Sequence, residues 1–248
     1  MHKIITLANH KGGVGKTTSA ASIGACMASM GKKVLLIDLD GQANLTLYFI
    51  PNEDDIQESI FDALVNGIPL PVINLRENLD IVPSSIEMAS AEIALTNVIA
   101  REQLLSRLLN DVKSNYDYIL IDCPPSLGIV TTNAFLAADE ILVPMTPELL
   151  PLKGMRMLDS FVSTLQVVKP SLCLNGVFIT RFNHRKLNKV VEEAVKQRYK
   201  DIIMFTRIRE NIAVAESAGS GNSIFEYDPL CNGAKDYRAL TEEIINRK

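Results

Sequence analysis

One stretch, residues 4–30, restricts the possible folds more than any other. Ile4-Ile5-Thr6-Leu7-Ala8 reads as a short apolar strand, and Asn9-His10-Lys11-Gly12-Gly13-Val14-Gly15-Lys16-Thr17-Thr18 as a glycine-rich turn. An Ala- and Ser-rich helix follows, with Ile23, Met27 and Met30 at helical spacing and Gly31 as its terminator. Strand, glycine loop and helix in that order form the setting of a phosphate-binding loop. Glycines at 12, 13 and 15 let the backbone approach an anion, and the helix N-terminus offers it unpaired N–H groups. Val14 and Thr18 complete the cradle, Lys16 has the reach for the β/γ-phosphates, and the Thr17 hydroxyl is placed for Mg²⁺. The match to G-x-x-x-x-G-K-[ST] is incomplete. His10 stands where the first Gly belongs, and an additional lysine, Lys11, precedes the Gly pair.

Two later strands carry acids at their carboxyl ends. Lys33-Val34-Leu35-Leu36-Ile37-Asp38 is continuously apolar and runs into Asp38-Leu39-Asp40-Gly41-Gln42; Tyr118-Ile119-Leu120-Ile121-Asp122 is followed by Cys123-Pro124-Pro125. Unbroken apolar strands belong to parallel sheets buried on both faces, and the loops at their carboxyl ends line the ligand crevice. The acids therefore face the phosphate site. Asp40 is the candidate for orienting the attacking water and for the metal, Asp38 supports from behind, and Asp122 is placed to hold Mg²⁺ through a water opposite Thr17. Further strands are expected at 79–83, 140–144 and 174–180. Helices are expected at 56–65, from Ile86 with Ser85 as N-cap, through Leu104 to Val112, at 152–168, at 187–199 and at the C-terminus. The alternation predicts one α/β domain over residues 1–248, a doubly wound, mostly parallel sheet with helices on both faces.

Composition excludes several classes. At 47% hydrophobic residues the chain can build a full core, which argues against disorder. No apolar run is long enough to span a bilayer, and the early first strand leaves no room for a secretory leader. Cys26, Cys123, Cys173 and Cys231 are scattered without a C-x-x-C pair, as expected of free thiols in a reducing cytoplasm. The net charge of −4 hides a local excess. Residues 181–209 hold nine basic and three acidic residues, among the basic ones Arg185, Lys186, Lys189, Lys196, Arg198, Lys200 and Arg207. The helix from Leu187 to Tyr199 is expected to bury Leu187, Val190, Val191, Ala194 and Val195 and turn its lysines outward. Charge alone leaves two readings open, a solvated face with pairs such as Glu192–Lys196, or a surface for DNA.

The loop with its signature lysine, the Asp38-Leu39-Asp40-Gly41-Gln42 turn, the run Asn78-Leu79-Asp80-Ile81-Val82-Pro83-Ser84-Ser85 and the C-terminal order Ile208-Arg209-Glu210-Asn211, Ala215-Glu216-Ser217-Ala218, Tyr227-Asp228-Pro229 together resemble the ParA/MinD superfamily of P-loop ATPases, and within it the small Soj-like partitioning ATPases. The resemblance spans nearly the whole chain. It departs at Gly41 and Ile208, where the family commonly has Pro. It implies an ATPase with ATP and Mg²⁺ as cofactors and a homodimer with two ATPs sandwiched at its interface. Lys11 would reach the partner's phosphates, Lys16 and Asp40 would act with it in hydrolysis, and Ile208 and Arg209 would lie on the adenine. It further implies ATP-dependent, non-specific DNA binding through the basic segment, a ParB-type centromere-binding partner, and a cytoplasmic, nucleoid-associated location. A MinD-like ATPase cycling on a membrane or scaffold is the alternative, disfavoured by the absence of a basic amphipathic tail; no stable membrane association is expected.

Overall fold

The computed structural model describes residues 2–147, 151–183 and 185–247. Among them are strands β1 (Lys3–Leu7), β2 (Val34–Asp38), β3 (Ile73–Arg76), β4 (Leu79–Val82), β5 (Tyr118–Asp122), β6 (Glu140–Met145), β7 (Gly176–Phe182) and β8 (Ile203–Arg209). The helices are α1 (Lys16–Ser29), α2 (Asn44–Phe49), α3 (Ile60–Val65), α4 (Ala91–Ala94), α5 (Leu104–Asn110), α6 (Ile129–Ala137), α7 (Pro151–Leu165), α8 (Lys186–Tyr199), α9 (Ile212–Gly219), α10 (Ile224–Tyr227) and α11 (Asn232–Asn246). One sheet takes all the strands in the order β3-β4-β2-β5-β1-β6-β7-β8. Every pairing is parallel except that of β3 with β4.

β1, β2 and β5 are apolar on both faces because both faces are covered. One core packs Ala20, Ile23 and Met27 of α1 with Leu45, Ile224, Tyr237 and Leu240. The other packs Ala63, Leu105, Phe135, Leu158 and Val191 from α3, α5, α6, α7 and α8. Two helix layers on a parallel sheet is the doubly wound arrangement the sequence predicts. α11 docks as expected, with Tyr237, Leu240 and Ile244 buried. No helix among the described residues is long and apolar enough to cross a membrane.

Several local expectations are corrected. The helix predicted from Ile86 is a 3₁₀ turn over Ile86–Ser90 followed by the four-residue α4; Ser85 takes the N-cap position of the turn, but its side chain makes no capping hydrogen bond. Its hydroxyl is hydrogen-bonded to that of Ser59 at 2.9 Å. The capping box in this region is Ser59 with Asp62, and it starts α3 at Ile60, later than the helix expected from residue 56. On α8, Val190 is 67% exposed. The stripe that packs is Asn188, Val191, Glu192, Val195 and Tyr199, rotated because Glu192 takes a buried position and is paired there with Lys196 and Arg207. The side chains of Lys186 and Leu187 lie outside the described residues. β3 and β8 were not expected, since both lack clean alternation. β8 is an edge strand whose Phe205 and Thr206 amides donate to the Glu243 carboxylate at 2.7 and 2.9 Å, which covers donors an edge otherwise leaves open.

Candidate nucleotide site

The loop between β1 and α1 is anchored from three directions. Asn9 donates from Nδ2 to the Pro144 carbonyl at 2.8 Å, and its Oδ1 accepts the Lys11 amide at 3.0 Å. Thr180, near the end of β7, donates from Oγ1 to the Val14 carbonyl at 2.8 Å. Gly15 precedes the first residue of α1 at φ 85°, and Gly13 has φ 72°. Left-handed backbone at both positions is what glycine supplies without steric penalty. No side chain caps α1, so its first amides stay available to an anion. Lys16 is buried at the base of the loop, Val14 is buried behind it, and Lys11, Gly12 and Gly13 are exposed at its outer rim.

The acids converge beneath the loop because β2 and β5 are neighbours and β5 also pairs with β1. Asp38 is in register with Asp122, and Asp122 with Leu7. Asp38 and Asp122 are both fully buried. Asp38 accepts the Thr46 amide and hydroxyl at 2.9 and 2.8 Å and the Asp40 amide at 3.1 Å. Burial pushes its carboxyl up to about 6 against these hydrogen bonds. Neither Asp122 oxygen has a hydrogen-bond partner. Burial lifts Asp122 well above the usual carboxylate range and the Asp38 charge adds to this, while the nearby Thr17 hydroxyl and Lys16 ammonium oppose it. A buried, unpartnered carboxylate beside a hydroxyl and an anion-binding loop fits a divalent cation. Among the described residues no cluster of three or more His, Cys, Asp or Glu could hold one alone. The residues therefore suit Mg²⁺, which is usually held by one or two protein groups with waters and phosphate oxygens.

Asp40 lies at the cleft in a turn fixed by its neighbours. Its carboxylate accepts the Gln42 amide at 3.0 Å, and its carbonyl accepts the Ala43 amide and the Ser84 hydroxyl, each at 2.8 Å. A Cβ on Gly41 would lie 2.7 Å from the Ala89 nitrogen, so only glycine lets the Ile86–Ser90 turn close onto this loop. Cys123 is a buried thiol whose pKa burial raises well above the usual value, so it is a packed side chain and not a nucleophile.

These elements enclose a cleft of about 1460 Å³, floored by Gly13, Lys16 and Thr17 and walled by Asp40, Arg181 and Asn211. Ile208 and Arg209 also line it, but from the end of β8 and not from a loop. Ile208 is buried, and the Arg209 guanidinium is paired with Asp236 at 2.6 Å. The site is thus built from the carboxyl ends of β1, β2, β5, β7 and β8, where a doubly wound sheet places its ligand.

Comparison with known proteins agrees with this geometry. Residues 2–174 match the AAA domain family. The chain is 41% identical to the sporulation initiation inhibitor protein Soj of Bacillus subtilis, covering 98% of each, and 37% identical to the chromosome-partitioning ATPase Soj of Treponema pallidum, covering 100% of this chain and 98% of that one. The chain belongs to the ParA/Soj family of partitioning ATPases. Among solved structures, a Borrelia burgdorferi B31 protein assigned to plasmid partition and bound to AMPPNP superposes with a TM-score of 0.88 at 30% identity over 100% of both chains. Cobyrinic acid a,c-diamide synthase of Mycobacterium smegmatis, bound to an ATP analogue and magnesium, gives 0.86 at 30% identity over 99% of this chain and 95% of that one. As a ParA/Soj member this chain is an ATPase.

The basic segment is less uniform than its charge count. Lys196 is paired with Glu192 at 2.8 Å, as the i,i+4 spacing predicts, and Arg207 with the same carboxylate. Arg198 is paired with Asp159 at 2.9 Å. Arg185, Lys189 and Lys200 are exposed and make no ion pair among the described residues; the side chain of Lys186 is outside them. Sequence reasoning missed Asn9, Thr46, Thr180 and Arg181. A polar residue at the carboxyl end of an otherwise apolar strand was the available signal for Asn9 and Thr180.

Proposed function

We propose that this ParA/Soj chain is a DNA-partitioning switch in which Mg-ATP drives a sandwich dimer that binds DNA, and hydrolysis, stimulated by a ParB-type partner, releases it. The observation that carries the nucleotide chemistry is the orphaned Asp122 carboxylate beneath an uncapped helix N-terminus, beside Lys16 and Thr17. The loop amides of residues 12–18 and Lys16 hold the β- and γ-phosphates. The Thr17 hydroxyl and the Asp122 carboxylate would hold Mg²⁺, which would offset charge on the phosphate oxygens. Asp40, fixed by Ser84 and Ala43, orients the attacking water. Asp38 keeps the turn and Thr46 in place. Ile208 and Arg209 contribute cleft wall toward the base.

Lys11 sits at the exposed rim, where a second copy can approach. From there its ammonium meets the partner's phosphates and supplies charge in trans, as an arginine finger does elsewhere at about 10³–10⁵ in rate. Gly12 has no atom within 4 Å of where a Cβ would sit, consistent with an open face for close docking. Slow turnover suits a switch, because ATP then maintains the DNA-bound form at the nucleoid until the partner acts.

Phosphate release and light scattering on the same preparation test the reading. Wild type is expected to hydrolyse ATP and to double in mass with a non-cleavable analogue; Lys16→Ala is expected to do neither. A wild-type protein that stays monomeric with the analogue at high concentration sinks the dimer.

A further inference from the structure

Arg181 stands out on three independent counts. Its backbone is left-handed, at φ 49°, inside strand β7, and the β7–β8 register shifts between Ile179 and Phe182 around it. A non-glycine residue rarely adopts that conformation, and such outliers cluster where a side chain must be aimed. Its guanidinium makes no hydrogen bond or ion pair among the described residues, whereas Lys196, Arg198, Arg207 and Arg209 are all paired. It lines the nucleotide cleft together with Gly13, Gly15 and Lys16.

Its position in the sheet says which part of a nucleotide it meets. Asp38 and Asp122 lie on β2 and β5, to one side of β1; β7 lies to the other side. The acids mark the end of the cleft where the terminal phosphate and cation belong, so β7 borders the nucleoside-proximal end. Thr180, one residue earlier, already touches the loop, bonding the Val14 carbonyl and lying 3.7 Å from where a Gly15 Cβ would be. The anion nearest that wall is the phosphate attached to the ribose.

We propose that Arg181 is a positioning residue that binds the nucleoside-proximal phosphate of the nucleotide. The contact is common to ADP and ATP and separate from the hydrolytic groups at the other end. It rests on the reading that this cleft takes ATP. A charge-assisted contact at an open cleft edge is worth roughly tenfold in affinity.

The test compares wild type, Lys16→Ala, Arg181→Asn and Arg181→Lys by calorimetric titration with Mg-ADP and by steady-state ATP hydrolysis. Asn tolerates left-handed backbone better than Arg, so the first Arg181 variant keeps the turn; Lys retains the charge. Arg181→Asn is expected to weaken ADP about tenfold and raise KM for ATP in proportion, with kcat at saturation within about twofold of wild type. Arg181→Lys is expected to recover most of the loss. An unchanged ADP affinity in Arg181→Asn, or a fall in kcat with unchanged ADP affinity, overturns the proposal. A Lys variant as weak as the Asn variant also overturns it, because the contact is then not a charge on a phosphate. Wild-type protein that fails to bind ADP rejects the cleft assignment itself, a different result from wild-type binding with an indifferent Arg181.

Discussion

Asp38 and Asp122 stand side by side on adjacent strands, both without solvent exposure, and only Asp38 is satisfied. Thr46 and the Asp40 amide occupy the Asp38 oxygens, which makes Asp38 part of the scaffold. Asp122 has been left with desolvated lone pairs and an acidic neighbour. Such a carboxylate costs stability in the empty protein and repays it only with a cation bound.

That relationship fixes a pH dependence. Both acids have folded-state pKa values raised above the unfolded value, so the folded protein holds protons the unfolded chain has released. Stability from this pair is greatest below about pH 4 and is lost as pH rises, levelling off above the folded pKa. For Asp38, pushed up to about 6, the loss amounts to about 2–3 kcal/mol. Asp122→Asn removes one of the two charges. Without nucleotide or Mg²⁺ its melting temperature at pH 7.5 is expected to exceed wild type by a few degrees, with the difference shrinking toward pH 4. Its Mg-ATP affinity is expected to fall. Thermal scans across this pH range check the sign; a variant less stable than wild type at pH 7.5 rules out the account.

Thr180 ties the sheet to the phosphate loop. Thr180→Val keeps the shape but leaves the Val14 carbonyl without its 2.8 Å donor, at a cost of about 1–2 kcal/mol. ATP affinity is expected to drop several-fold with little change in turnover at saturation. Titration calorimetry and steady-state kinetics separate the two, and an equal fall in turnover would place Thr180 in the chemical step instead.

The basic segment predicts an order of effects. Arg185→Ala and Lys189→Ala remove cations with no internal pair among the described residues, and under the proposed DNA-binding role each is expected to weaken ATP-dependent DNA binding and reduce the slope of log affinity against log salt by about one. Arg198→Ala removes a cation already held by Asp159 and is expected to matter less. Gel shifts with Mg-ATP at several salt concentrations measure this. Equal effects from all three variants would mean that the Arg198–Asp159 pair opens on binding.

Much of this was legible in the chain, and the exceptions share a cause. Strands β2 and β5 are continuous apolar runs ending in an acid, and β1 is a mostly apolar strand entering a glycine loop, so the sheet and the candidate cleft could be read from local pattern. β8 could not. Met204 and Ile208 turn into the core while Phe205 is 94% exposed, and what stabilises the strand is Glu243 on a distant helix. Val190 failed for the same kind of reason, because helical periodicity does not register that a buried Glu192 has two cations waiting for it. Arg181 carried no local signal at all. Left-handed backbone at Arg181 accompanies the register shift between β7 and β8, a tertiary fact.

Gly41 offers the sharpest test of how tightly tertiary context holds the Asp40 turn. The family resemblance points to Pro at this place, and a family-guided design would introduce it as a stabilising change. The contact with Ala89 argues the reverse, since any Cβ at 41 meets backbone at 2.7 Å and the Ile86–Ser90 turn must move away. That movement disturbs Ser84, whose hydroxyl donates to the Asp40 carbonyl at 2.8 Å, and so shifts the carboxylate proposed to orient water. Gly41→Pro is therefore expected to lower stability by about 1–3 kcal/mol, as overpacking does, and to cut turnover at least tenfold while ADP affinity stays near wild type. Denaturant melts, calorimetry and phosphate release on one preparation read the three quantities. A Pro variant with unimpaired turnover would show that the Ile86–Ser90 turn can retreat without carrying Asp40 along.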